Sequence, residues 1–234
     1  MRNLVLILFF SVFSLASEED LINKISKILP TGLPINFIEE SSMPDFYVVN
    51  VANNQILYVS KDFKFVLAGE VIALNDGEIT SLNDIYENKF IKNIISSIKP
   101  NESIDFISNN ERYKLKIFTD VSCSYCRLLH SEIDQYLLNG ITISYLAFPR
   151  DGLDSKVYKD MVSVWCSLDP KDSLNKLKKG ESIENKNCKN PVEEHFRKGS
   201  LIGITGTPTI ILEDGTKFSG YIPANELIKI LESG

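Results

Sequence analysis

The chain has 234 residues and a formal net charge of −6 at neutral pH. This length accommodates one large domain or two modest ones. The mildly acidic charge, with no basic run, gives no support for nucleic-acid binding. Beyond the N-terminus no apolar stretch is long enough to span a bilayer, so no stable membrane insertion is predicted.

The N-terminus, MRNLVLILFFSVFSLAS, has the layout of a secretory signal peptide. One positive charge at Arg2 precedes an apolar run that ends in the small-residue site Ser14-Leu15-Ala16. This pattern predicts a signal peptide over residues 1–16; the alternative is an uncleaved anchor, for which the run is short. Export places the mature chain in an oxidising compartment, where disulfides persist.

Residues 17–79 are predicted to form a small α+β unit. An amphipathic helix in SEEDLINKISKIL precedes three strand-rich runs, DFYVVNVA, QILYVS and KFVLAGEVIAL, separated by polar turns. The unit contains no cysteine or histidine, so we expect it to serve binding or assembly, with a packing appendage as the alternative. Residues 80–100 follow as a helix that starts at Ser81, and they are predicted to be a linker between two compact regions.

Residues 101–234 are predicted to form an α/β domain. The strand YKLKIFTD, the helix SYCRLLHSEIDQYLLNG and the strand ITISYLAFP imply a parallel pair with a right-handed connection. Helical stretches between about residues 155 and 201 form an insertion. The chain then ends with a hairpin that turns at Asp214-Gly215 and a last helix, PANELIKILES.

The candidate chemistry lies in TDVSCSYCRLLH, where Cys123 and Cys126 follow a strand and open a helix. A helix N-terminus presents unpaired N–H groups and a positive dipole end, which favour a thiolate. Cys123 is therefore predicted to be the attacking thiolate at an exposed helix tip. Cys126 shares the apolar helix face of Leu129, Ile133 and Leu137, so it is predicted to be the sheltered resolving thiol.

Two other uses of a C-x-x-C pair remain as alternatives, a structural zinc site and a purely structural disulfide. The zinc alternative needs four ligands, whereas the other cysteines lie 22 positions apart and the two histidines lack metal-ligand spacing. The disulfide alternative conflicts with the reactivity typical of thiols at helix tips. His130 is interpreted as a packing residue rather than a base.

The motifs together resemble those of the DsbC/DsbG-type periplasmic disulfide isomerases, on the DsbC side. The resemblance rests on FTDVSCSYCRLLH, on GITISYLAFPRDGLDS, on Trp165-Cys166 and on GITGTP. It implies a thioredoxin-fold catalytic domain joined by a linker helix to a cystatin-like dimerisation domain. It also implies a cis Thr207-Pro208 bond facing the cysteine pair, where the Thr207 backbone hydrogen-bonds an extended substrate strand.

The same resemblance assigns Cys166 and Cys188 to a structural disulfide, with free thiols as the alternative that an oxidising compartment disfavours. It also places Ser124 and Tyr125 at the substrate, together with Thr207 and Pro208. The dipeptide usual in DsbC-like members is Gly-Tyr, whereas this chain has Ser-Tyr. Because the dipeptide helps to set thiolate stability, a reduction potential does not transfer to this chain.

We therefore expect a periplasmic, homodimeric thiol-disulfide isomerase with Cys123 as nucleophile and Cys126 as resolving thiol. The resemblance implies that it needs no organic cofactor and no metal. Its expected partners are misfolded exported proteins with disulfides and an inner-membrane thiol reductase. The alternatives are a net oxidase or reductase of the same fold, or a thiol-independent periplasmic chaperone, whose activity would survive Cys123→Ser.

Overall fold

The computed structural model describes residues 12–75 and 77–233, which divide into two compact units between Val71 and Ile72. Residues 1–11, most of the predicted signal peptide, lie outside the described residues, and its cleavage after Ala16 stays a prediction. Within the described ranges, every helix is too short or too polar to cross a membrane.

The first unit consists of one helix and a four-stranded antiparallel sheet. Each strand pairs with the next one along the chain, in the spatial order β1-β2-β3-β4. The elements are α1 (Val12–Ile28), β1 (Ile35–Glu40), β2 (Phe46–Val51), a 3₁₀ turn (Ala52–Asn54), β3 (Gln55–Ser60) and β4 (Val66–Ala68). The predicted α+β character of this region is confirmed.

The core of the first unit lies between the helix and the sheet. Ile25 and Leu29 are one helical turn apart, and both are buried against the sheet. They pack with Val49, Val51 and Val59, of which the first two share a sheet face because strand side chains alternate. The spacing of apolar residues in the sequence thus accounts for this interface.

The second unit contains a hairpin, a five-stranded mixed sheet and seven helices within the described residues. Its elements are β5 (Ile72–Asn75), β6 (Glu78–Ser81), α2 (Leu82–Ser96), a 3₁₀ turn (Pro100–Glu102), β7 (Ile104–Phe106), β8 (Tyr113–Thr119), α3 (Ser124–Ser131), α4 (Ile133–Leu138), β9 (Ile141–Ala147), α5 (Lys156–Trp165), α6 (Pro170–Lys178), α7 (Val192–Leu201), β10 (Thr209–Ile211), β11 (Lys217–Ser219) and α8 (Ala224–Ser233).

The larger sheet has the order β11-β10-β8-β9-β7, so β8 and β9 are interior strands. These two strands are parallel, as the strand-helix-strand pattern predicts, and every residue of β9 is buried. The other pairings in this sheet are antiparallel. The helices α5, α6 and α7 lie between β9 and β10 in the chain and form the predicted helical insertion.

Helix α2, predicted to be a spacer, belongs to the second unit and packs against its sheet. Its residues Ile91 and Ile95 are buried in one cluster with Phe118 of β8 and Leu146 of β9. The apolar stripe that predicted the helix therefore also buries it against a sheet face. The predicted domain ranges stay a prediction, and a fragment that keeps this core must begin at β5 rather than at Asn101.

Helix α7 comes close to the same cluster at Gly199. A Cβ atom at this position would lie 2.7 Å from Cδ2 of Phe148 and 3.1 Å from Cε1 of Phe118. Both rings are buried and make an edge-on contact with each other, with centroids 6.2 Å apart. The rings therefore have little room to move aside for a larger residue.

We expect Gly199→Ala to lower the free energy of unfolding, by up to about 2 kcal/mol. Overpacking a well-packed core costs ~1–3 kcal/mol, which exceeds the gain of about 1 kcal/mol in helix propensity. Urea denaturation of the purified variant would measure the change. Gly206→Ala is the control, since nothing lies within 4 Å of its added Cβ. A Gly199→Ala variant as stable as the parent would contradict the packing argument.

Candidate active site

The cysteine pair lies where the chain leaves β8 and starts α3. Cys123 is the N-cap of α3, with the extended backbone angles φ −74° and ψ 125° that an N-cap requires. Its Sγ atom accepts a hydrogen bond from the backbone N–H of Cys126 at 3.4 Å. One sulfur thus satisfies an N–H group that the first helical turn leaves unpaired, and it does so at the positive end of the helix.

Both members of the pair are free thiols, and both are buried. Cys126 is 1 % exposed, as expected for a residue on the apolar face of the helix. Cys123 is only 4 % exposed, so the expectation of an exposed tip is wrong for this residue. The reason is a contact from far along the chain, because Thr207 lies against the Cys123 sulfur.

The Thr207-Pro208 peptide bond is cis and lies next to the cysteine pair. The Cys123 thiol donates to the Thr207 carbonyl oxygen at 3.2 Å. Within the described part of the chain the buried Thr207 hydroxyl has no hydrogen-bond partner, which leaves it able to donate to a thiolate. Thr207 is half-buried and Pro208 is buried.

The two residues between the cysteines face outward. Ser124 is exposed, and Tyr125 is 63 % exposed. The structure therefore brings Cys123, Cys126 and Thr207 together and places the Ser-Tyr dipeptide on the surface beside them. A chain that approaches the Cys123 sulfur from solvent would meet this dipeptide first.

A buried carboxylate holds the turn that precedes the pair. One oxygen of Asp120 accepts from the backbone N–H of Ser122 at 2.6 Å and from its hydroxyl at 2.7 Å. The other oxygen accepts from the backbone N–H of Arg150 at 3.0 Å and from its Nε at 3.1 Å. Burial alone would raise the pKa of the Asp120 carboxyl, but these hydrogen bonds outweigh burial and lower it.

Asp120 and Arg150 are missing from the residues that the sequence singles out for chemistry. Their positions in the sequence could have indicated them: Asp120 directly follows β8, and Arg150 lies three residues after the end of β9. The carboxyl ends of neighbouring parallel strands meet at one edge of a sheet, which is where such folds place their sites. A charged residue of each sign in these two positions indicates an ion pair beside the cysteines.

The two thiols differ in acidity because their surroundings differ. Burial would raise the pKa of Cys123, but hydrogen bonds from Thr207 and from the Cys126 N–H, with the charge of Arg150, lower it overall. At Cys126 burial dominates and raises the pKa. Opposite shifts of this kind favour one thiol as nucleophile and leave the other protonated until it is needed.

His130 is a packing residue, as interpreted from the sequence. Its Nδ1 lies 3.2 Å from the Tyr145 hydroxyl and its Nε2 lies 2.8 Å from Oδ1 of Asn175. Burial lowers the pKa of His130 to about 4, so the ring is neutral near pH 7. Among residues 12–75 and 77–233 no group of three or more His, Cys, Asp or Glu side chains is placed to hold a metal ion.

The structure joins Cys166 and Cys188 in a disulfide. Cys166 is the C-cap of α5, and Cys188 lies in the segment that leads to α7. The bridge therefore closes a loop that contains the whole of α6. It uses the two cysteines that are not part of the C-x-x-C motif.

Comparison with known proteins assigns both halves of the chain. Residues 100–234 match the family model described as a thioredoxin-like domain, and residues 12–83 match the disulfide bond isomerase protein N-terminal domain. The thiol:disulfide interchange protein DsbC of Dickeya dadantii is 32% identical over 78% of this chain and 75% of its own length. That of Haemophilus influenzae is 33% identical over 84% of each chain. The chain belongs to the DsbC family.

Among solved structures, a disulfide interchange protein from Neisseria gonorrhoeae is 27% identical to this chain, with a TM-score of 0.52. The match covers 58% of this chain and 97% of that protein. The predicted fold class of this DsbC-family chain, a DsbC-type N-terminal domain followed by a thioredoxin-fold domain, is confirmed. So is its expected class of activity, thiol-disulfide exchange.

We expect iodoacetamide to alkylate Cys123 at least about tenfold faster than Cys126 in the reduced protein near pH 7. The Cys123 rate should reach half its maximum below the free-thiol pKa of about 8.5, because Arg150 and Thr207 favour the thiolate. Peptide mass mapping over a pH series would measure both rates. Arg150→Met should move the midpoint upward, and Lys156→Met, on the exposed start of α5, should not. Faster alkylation of Cys126 would contradict the assignment.

Proposed function

We propose that this chain is a periplasmic thiol-disulfide isomerase that uses Cys123 as nucleophile and Cys126 as resolving thiol. The observation that carries these roles is the position of the two sulfurs at one helix start: Cys123 caps α3 and its Sγ accepts from the Cys126 N–H, whereas Cys126 is 1% exposed. The pKa shifts of the two thiols, which have opposite directions, agree with it. The membership in the DsbC family supports the activity, since the relatives are named thiol:disulfide interchange proteins.

The reaction starts when the Cys123 thiolate attacks one sulfur of a wrong disulfide in a substrate protein. A bond forms between Cys123 and that sulfur, and the other substrate sulfur leaves as a thiolate with the electron pair. A different substrate thiolate then attacks the mixed disulfide, which gives a rearranged bond and frees Cys123. No net oxidation or reduction of either protein has occurred.

The second exit from the mixed disulfide goes through Cys126. Its sulfur attacks Cys123, the enzyme leaves with a Cys123–Cys126 disulfide, and the substrate leaves reduced by two electrons. Isomerisation can resume only after a thiol donor reduces this disulfide. An inner-membrane thiol reductase is the partner that we propose for this step.

The surface around Cys123 fits an extended substrate chain. The half-buried Thr207 offers backbone groups beside the sulfur, and Pro208 opens the approach to β10 with no N–H of its own. The exposed ring of Tyr125 can pack on an apolar substrate side chain. We therefore propose Thr207, Pro208, Ser124 and Tyr125 as the substrate contacts.

The first unit supports a homodimer. Its strand β4 has β3 as its sole pairing partner within the described residues, which leaves one edge open. Phe65, Val66 and Leu67 at this edge are 63%, 42% and 42% exposed. Open edges with apolar side chains are sites where another chain adds, and a second copy satisfies the edge symmetrically.

The predicted signal peptide and the Cys166–Cys188 disulfide support a periplasmic location.

We expect Cys123→Ser to abolish the rescue of a protein with scrambled disulfides, a loss of at least about 100-fold. Cys126→Ser should keep part of the rescue, because a substrate thiol can still release the mixed disulfide. Ser131→Ala, at the exposed end of the same helix, is the control. Refolding yields in a glutathione buffer measure all three. Full rescue by Cys123→Ser would indicate a thiol-independent chaperone instead. A strongly oxidising reduction potential of the Cys123–Cys126 pair would indicate a net oxidase.

We expect Leu67→Lys to convert the dimer into a monomer, because the ammonium groups prevent pairing of the two β4 edges. Isomerisation should fall about tenfold, since two linked sites retain a substrate through successive exchanges, while simple disulfide reduction should stay within about twofold. Light scattering and both assays test this. Leu168→Lys, at a residue 99% exposed in the second unit, is the control. A dimeric Leu67→Lys variant would contradict the proposal.

A further inference from the structure

Two neighbouring cavities form one groove along α5. The larger has a volume of about 960 Å³ and lies between α5 and the segment after α6, where Ser163 and Ile183 line it. The smaller, of about 180 Å³, is lined in part by Ser122 and Arg127. Both cavities are lined by Lys156, Asp160, Leu177, Gly180 and Glu181. We call this shared space the α5 groove, and its larger cavity falls in the size range of ligand sites.

The narrow end of the α5 groove reaches the cysteine pair. Ser122 directly precedes Cys123 and Arg127 directly follows Cys126, and both lining residues are exposed. The Arg127 Nε donates to the carbonyl oxygen of Val121 at 2.9 Å, which ties the first turn of α3 to the turn before it. A substrate chain bonded to the Cys123 sulfur therefore lies beside the opening of the groove.

One wall of the groove is the segment 181–188, which forms neither helix, strand nor turn. The N–H of Glu181 donates to a carbonyl oxygen of α6 at 3.0 Å, and the N–H of Lys186 donates to Oγ of Ser163 on α5 at 3.0 Å. The disulfide at Cys188 adds a covalent tie to the end of α5. The wall is therefore held at both ends before any ligand arrives.

The middle of this segment offers free backbone groups. In the part of the chain that the structure describes, the backbone N–H and C=O groups of Ser182, Ile183, Glu184 and Asn185 form no hydrogen bond with protein. Three of these four residues are exposed, so solvent reaches the backbone here. An extended chain laid alongside can pair with such groups through its own main chain, whatever its sequence.

The floor of the groove is apolar. Val162 is buried, and Leu177 and Ile183 are half-buried at the edge of the main core of the second unit. In an extended chain every second side chain points to the same side, so such a chain can place an apolar side chain on this floor. An unfolded protein offers segments of this kind, because its apolar side chains are not buried in a core of its own.

The charges around the groove favour an acidic segment. Two lining lysines are neutralised by ion pairs of 2.6 and 3.3 Å, Lys156 with Asp160 and Lys186 with Glu184. Among the described residues, Lys159 and Arg127 have no carboxylate partner, and Glu181 has no cationic one. Two unpaired cations thus face one unpaired carboxylate, although the chain as a whole is acidic.

We propose that the α5 groove holds an extended segment of the substrate protein, next to the cysteine that is bonded to Cys123. This inference rests on the nucleophilic role proposed above for Cys123. The segment pairs its backbone with residues 182–185, places an apolar side chain on the floor of the groove and brings an acidic side chain to Lys159. The helical insertion is thus a substrate-binding element, far in sequence from the C-x-x-C motif.

A weak groove is sufficient because the substrate is tethered. Once the mixed disulfide has formed, the flanking segment binds intramolecularly, and its effective concentration is far above that of a free peptide. Contacts too weak to capture a free chain can then hold the substrate in place while another of its thiols approaches the mixed disulfide.

The test measures competition between peptides for Cys123 in the full-length Cys126→Ser variant, where the mixed disulfide persists. One peptide is a tripeptide with a central cysteine. The others add about seven residues of leucine and glutamate, roughly 23 Å when extended, before the cysteine or after it. The thiolate of one peptide attacks the mixed disulfide, bonds to Cys123 and releases the other peptide as a thiolate. Mass spectrometry after acid quenching gives the equilibrium constant.

We expect Cys123 to prefer one of the long peptides over the tripeptide about tenfold, the equivalent of one or two net hydrogen bonds. Replacing its glutamates by lysines should weaken the preference about threefold, as for exposed ion pairs. Lys159→Glu should reverse this order, so that the lysine peptide is preferred. Lys179→Glu, at an exposed lysine outside the groove, should not.

A second variant obstructs the groove without changing its charge. Gly180 lines both cavities and has φ +84°, and nothing lies within 4 Å of an added Cβ. Asparagine is tolerated at such angles after a helix, so Gly180→Asn is expected to fold and to reduce the tenfold preference below about threefold. Gly32→Asn is the control, because Gly32 has φ +82° and open space in the first unit.

Equal competition by all peptides would overturn the inference and leave the groove to another partner, such as the thiol reductase. So would a preference for a long peptide that Lys159→Glu and Gly180→Asn both leave unchanged, because the segment would then bind elsewhere. Failure of Cys123 to form a mixed disulfide even with the tripeptide would instead refute its proposed role as nucleophile.

Discussion

The buried carboxylate of Asp120 is the interaction on which the active site depends. Its four hydrogen bonds join the turn after β8 to the segment after β9, through Ser122 and Arg150. Such a carboxylate stays ionised inside a protein only because every lone pair has a donor. This arrangement holds the start of α3, and therefore Cys123, in one place, and it brings a guanidinium near the thiols.

The asymmetry between the two thiols follows from the same scaffold. Cys123 caps the helix, so its thiolate accepts a hydrogen bond from the Cys126 N–H, whereas Cys126 lies one turn further into an apolar core. In the proposed mechanism the Cys123 nucleophile is therefore available at neutral pH, and the resolving thiol of Cys126 reacts only once it loses a proton. The balance between rearranging a substrate and reducing it then depends on how quickly that proton leaves.

Local patterns in the sequence predict much of this structure, and contacts between distant segments explain the rest. The β8–α3–β9 order, the burial of Cys126 and the packing role of His130 follow from periodicity and position. The burial of Cys123 does not, because it needs Thr207, which lies 84 residues later. The packing of α2 and the Asp120–Arg150 pair also depend on tertiary contacts. The burial of Lys178 depends on such a contact as well, with Thr119 of β8, although its position one turn after the buried Leu174 places it on the buried face of α6.

The position of α6 indicates what the Cys166–Cys188 disulfide stabilises. This helix lies wholly inside the loop that Cys166 and Cys188 close, with a sequence separation of 22. Closing such a loop restricts the unfolded chain by about 3 kcal/mol in the entropy model. The loop carries both Asn175, which contacts His130 behind α3, and Lys178, which contacts the end of β8. The second pair of cysteines thus stabilises the insertion that supplies polar groups to the buried side of the first pair.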